Sequence, residues 1–81
     1  MFTLYIEKNN QSLPTDNQIK TAMGKLKGVT NVRPRPRKSG DTMVFVDYDH
    51  DRSSGISSTD VERGLINALN GRSDSWGVTH V

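Results

Sequence analysis

The sequence predicts an α+β sandwich: a four-stranded antiparallel sheet with two helices on one face. Three observations point there. Segments 3–7 (TLYIE) and 42–49 (TMVFVDYD) alternate apolar and polar residues with the period of a half-buried strand. Segments 15–28 and 59–71 carry apolar residues at helical spacing behind a capping signature. The chain has 81 residues and no cysteine, which predicts one domain over 1–81 with one small core and no disulfide to support it.

The elements follow in order. In the first strand Leu4 and Ile6 share one face, and Thr3, Tyr5 and Glu7 the other. Polar residues 8–14 form a loop. Thr15 reads as a helix N-cap with Gln18 at the reciprocal position. Ile19, Ala22, Met23 and Leu26 then make one stripe, and Gly28 ends the helix. Residues 29–38 (VTNVRPRPRK) are extended, because Pro34 and Pro36 forbid a helix and leave an edge strand or a polyproline-like arm. After the turn Ser39-Gly40-Asp41, the third strand points Val44, Val46 and Tyr48 to one face and Met43, Phe45 and Asp47 to the other. Residues 50–58 read as a polar loop. Thr59 is the expected cap of the second helix, with Glu62 as its partner, a stripe of Val61, Leu65, Ala68 and Leu69, and an end at Asn70-Gly71. Gly64 weakens that helix by roughly 1 kcal/mol unless something packs closely against it. Residues 76–81 (WGVTHV) form a last strand. The order β-α-β-β-α-β with right-handed crossovers gives the ferredoxin-like arrangement, in which the second strand lies at an edge and the first and third are central.

Charge is unevenly spread. Residues 1–40 hold eight Lys and Arg against two Asp and Glu, whereas 41–81 hold three against seven. Such a split either marks a pole for a polyanion or an acidic partner, or is neutralised within the fold. No run approaches the roughly 18 apolar residues of a membrane helix. The start of the chain lacks the pattern of a signal peptide, so the expected location is cytoplasmic.

Two families share this topology and resemble parts of the chain. Leu4-Tyr5-Ile6 and the run 42–48 resemble the two strand signatures of an RNA recognition motif. Phe45-Val46-Asp47-Tyr48 matches the second half of the strand-three signature, and Ala68-Leu69-Asn70-Gly71 resembles the family's end of helix two. Met43 stands where an aromatic is usual, and Asp41-Thr42 replaces the basic-Gly start. The segment 28–32 (GVTNV), the strand VFVDYD and the helix opening Ser58-Thr59-Asp60-Val61 are similar to a heavy-metal-associated domain. That family's Cys-x-x-Cys is absent, so its copper or zinc transfer does not carry over. The first resemblance implies that Tyr5 and Phe45 stack on unpaired bases.

The residues themselves offer two candidate sites. Tyr5 and Phe45 would lie on adjacent central strands of a helix-free face, beside Met43 and beside Arg33, Arg35, Arg37 and Lys38 along one edge. Rings there either stack on bases or stiffen the sheet as a cross-strand pair. Guanidinium groups there either hold phosphates or protect the edge from aggregation. The second candidate is 49–60 (DHDRSSGISSTD), which fits the register of a twelve-residue calcium loop with Asp49, Asp51, Ser53 and Asp60 as oxygen ligands. Gly55 stands one place late for its sharp turn, Asp60 is shorter than the usual glutamate, and a strand precedes it. The alternative is an acidic, serine-rich loop that runs into a helix cap. His50 and His80 have no motif around them, and no nucleophile–base–orienter set is visible, so no enzymatic activity is expected. The leading expectation is a non-enzymatic module for single-stranded nucleic acid, without a cofactor. A protein–protein adaptor or small inhibitor, acting on an acidic surface or a second copy, is the alternative, and a module that binds Ca²⁺ weakly through 49–60 is a further one.

Overall fold

The computed structural model describes residues 1–72 and 74–81. Its elements are β1 (Phe2–Lys8), α1 (Asp16–Gly24), β2 (Val29–Pro34), β3 (Met43–His50), a single 3-10 turn (Arg52–Ser54), α2 (Ser58–Ala68) and β4 (Trp76–His80). The strands form one sheet in the order β2-β3-β1-β4, with every neighbouring pair antiparallel. The fold is therefore α+β with a four-stranded antiparallel sheet and two helices, consistent with a ferredoxin-like fold.

The alternation in β1 and β3 decides which face is covered. Leu4, Ile6, Val44, Val46 and Tyr48 are buried in one cluster with Ile19, Ala22 and Met23 of α1 and Val61 and Leu65 of α2. Both helices thus share the even-numbered face of β1 and β3, and the odd-numbered face carries no helix. Burying these side chains supplies most of the driving force, at roughly 1.5–3 kcal/mol for each large one.

Thr15 caps α1 with Gln18 as its reciprocal partner, as the sequence predicts. The helix ends at Gly24 rather than Gly28. The Leu26 amide donates to the Met23 carbonyl at 3.0 Å, and this tighter turn brings Leu26 against α2. A Cβ at Gly64 would lie 2.6 Å from Leu26 Cδ2, so the glycine admits that contact. The cap of α2 is Ser57 with Asp60, two residues before the predicted Thr59–Glu62 pair. Both pairs fit the sequence pattern, but Glu62 is engaged elsewhere. At the other end of α2, Asn70 takes the left-handed conformation (φ 59°). Its N–H donates to Asn67 and that of Gly71 to Ile66, satisfying the last carbonyls.

β2 is an edge strand, as Pro34 and Pro36 require. The Arg35 N–H donates to the Phe45 carbonyl at 2.8 Å, so the nitrogen of the preceding Pro34 faces away from β3. An extra residue in β2 between Thr30 and Arg33 shifts the register, with Asn31 at φ 51°. β3 runs through His50, one residue beyond the predicted strand. Trp76 opens β4 as a buried anchor, and its indole N–H donates to the Ser12 carbonyl at 3.0 Å.

Candidate functional site

The helix-free face gathers most of the residues predicted to bind. Tyr5 and Phe45 are directly opposed across β1 and β3, with ring centroids 6.1 Å apart and planes inclined at 54°. Both are half-buried, so each leaves part of its ring accessible. Met43 stands opposite Glu7 at the end of the same row and is 37% exposed.

Arg33 and Arg35 border this row from β2. Arg33 pairs with Asp47 in the strand register. The Arg35 guanidinium lies 5.4 Å from the Phe45 ring centre. Its Nε and Nη2 donate to the two Asp47 oxygens at 2.9 and 3.0 Å. Thr3 Oγ1 also donates to Asp47, at 2.6 Å. Arg35 first, and then Thr3, hold the Asp47 carboxyl down at about 2. The register shift in β2 matters here, because it places Asn31 so that its side chain donates to Asp49 at 2.9 Å.

The arginines do not form one arm. Past Pro36 the chain leaves the sheet, and Arg37 Nη2 donates to the Pro14 carbonyl and to Asp16 Oδ1, both at 2.7 Å. Arg37 therefore binds the start of α1 instead of lining the open face. Lys38 is exposed in the following turn, where its N–H donates to Asp41 at 2.8 Å.

The predicted calcium residues are each occupied locally. Asp51 accepts from the Ser53 amide and hydroxyl at 2.9 and 2.8 Å, which lowers its pKa. Asp60 accepts from the Ser57 amide and is lowered likewise. Asp49 turns to Asn31. Among the described residues, no group of three or more Asp, Glu, His or Cys is placed to hold a metal ion. Also among them, no helix is long and apolar enough to cross a membrane.

One arrangement escapes a reading of the sequence. His80 Nδ1 meets Glu62 Oε2 at 2.8 Å, and His80 Nε2 meets the Tyr48 hydroxyl. The three come from α2, β4 and β3, at sequence separations of 18 and 32, so no local motif announces them. Burial, and secondarily Glu62, push Tyr48 up to about 12. Tyr48 is fully buried, while the His80 and Glu62 side chains are 16% and 24% exposed, and the chain of hydrogen bonds ties β4 to β3 and α2.

Comparison with protein-family models, curated proteins and solved structures finds no match to this chain.

Proposed function

We propose that this chain is a non-enzymatic binding module of ferredoxin-like topology that stacks unpaired bases of single-stranded nucleic acid on Tyr5 and Phe45. The observation that carries the reading is the side-by-side placement of these rings on the helix-free face, with cationic side chains along one border. The strand order β2-β3-β1-β4 and the covering of a single face support the topology. The resemblance of β1 and β3 to the strand signatures of RNA recognition motifs supports the ligand class.

Stacking supplies about 1–3 kcal/mol per base and does not depend on free cations. Phosphate contacts are fewer here than composition suggests, because Arg35 is held by Asp47 and Arg37 by Asp16. Arg33 and Lys38 remain to meet the backbone. At about −0.7 per phosphate, the log–log salt slope is then about −1.4.

A second reading rests on the charges of the same face. Arg33 and Arg35 face Glu7, Asp47 and Asp49 there, and a near-balanced surface carrying Tyr, Phe, Met and Arg has the makeup of a protein interface. One titration separates the two. Fluorescein-labelled oligothymidylate at low salt should saturate, and Tyr5→Ala and Phe45→Ala should each weaken binding by about tenfold. Absence of saturable binding overturns the nucleic-acid reading and leaves the protein partner.

A further inference from the structure

Each edge of the sheet is blocked at one position, by different chemistry. At β2 the closure is covalent, since Pro34 has no N–H to offer an incoming strand. At β4 it is made by a side chain from another element. The Val81 N–H donates to Thr3, and His80 is opposite Leu4, so the alternation of an antiparallel ladder turns the amides of Val78 and His80 outward. Glu62 Oε2 accepts from that outward His80 N–H at 2.9 Å and from the His80 ring at 2.8 Å. Its carboxylate occupies the place where the carbonyl of an added strand would sit.

The geometry points to Glu62 as a latch on the β4 edge, and to a second copy of β4 as the strand that pairs there when the latch is removed. The edge is self-complementary. In an antiparallel pair centred on Val78, Trp76 of one copy falls opposite His80 of the other, and the outward groups of all three residues meet as donors and acceptors. β4 carries neither proline nor lysine, two usual protections of a free edge, and among the described residues Glu62 is the device acting at His80. This surface is distinct from the Tyr5–Phe45 face and does not rest on what that face binds.

Sedimentation equilibrium tests the latch. The unmodified chain should stay monomeric where Glu62→Ala doubles its mass, and Glu62→Gln, which keeps an acceptor oxygen, should remain monomeric. Adding Val78→Pro to Glu62→Ala removes an outward N–H that β1 does not use, and should restore the monomer. A folded Glu62→Ala chain that remains monomeric overturns the proposal, as does a dimer that Val78→Pro leaves intact. Amide exchange on the unmodified chain gives a readout free of folding defects. The His80 amide should exchange at least tenfold more slowly than that of Val78; equal rates overturn the latch.

Discussion

Arg35 lies over Phe45 and, with the same guanidinium, grips Asp47 through two hydrogen bonds of 2.9 and 3.0 Å. One side chain therefore braces a ring of the candidate binding row and neutralises the carboxylate beside it. An unpaired Asp47 would repel phosphates from the centre of the face. The pair makes the face passable to a polyanion without making it strongly attractive.

This pairing predicts a response to acid. The Asp47 carboxyl falls from 3.8 to about 2 on folding, so its contribution is present above pH 3.8 and is lost as pH drops towards 2. Solvent screens the half-exposed Arg35, which holds the effect to about 1 kcal/mol. Thermal melts across this range should show the loss, and Asp47→Asn should shrink it. A residual step should persist, because Asp51 and Asp60 are also held low by their caps.

The alkaline side depends on Tyr48. Its pKa rises from 10.0 to about 12, so folding favours the neutral phenol. That stabilisation is complete below pH 10 and disappears as pH climbs towards 12. Tyrosinate absorbance should show Tyr48 ionising together with loss of the fold. Tyr48→Phe should remove that dependence and cost about 1–2 kcal/mol at neutral pH, because His80 Nε2 loses its partner.

Strand identity was legible because period-two alternation records which face is buried. The α1 cap was legible because Thr15 and Gln18 act within one turn. The α2 cap was not, since Ser57–Asp60 and Thr59–Glu62 fit the same pattern and only the distant His80 decides between them. The arginine series misled for a similar reason. Spacing alone places Arg33, Arg35 and Arg37 together, but the chain leaves the sheet after Arg35, and Asp16 draws Arg37 to α1. The row of Tyr5 and Phe45 needed only the register of two alternating strands.

The separation of the arginines gives a paired prediction. Arg33→Ala should weaken oligothymidylate binding and flatten its salt dependence by about 0.7. Arg37→Ala should leave binding unchanged and destabilise the fold by about 1 kcal/mol, a drop of roughly 4–8 °C in Tm. Equal effects of the two changes on binding would show that Arg37 reaches the face after all.

Gly71 sits against the Trp76 indole so closely that a Cβ would meet three of its ring atoms. Trp76 cannot swing aside freely, because its N–H is held by Ser12. Gly71→Ala should cost about 1–3 kcal/mol and disturb the near-ultraviolet circular dichroism of the single tryptophan.

The most basic stretch of the chain is also guarded against digestion. Trypsin-like proteases read an extended basic side chain and fail when proline follows it, which spares the bonds after Arg33 and Arg35. The bond after Arg37 is withheld in another way, because its guanidinium is already clasped by Pro14 and Asp16. Limited digestion of the folded chain should therefore open this segment after Lys38, and a nick at Arg37 would report that the clasp at the start of α1 has let go.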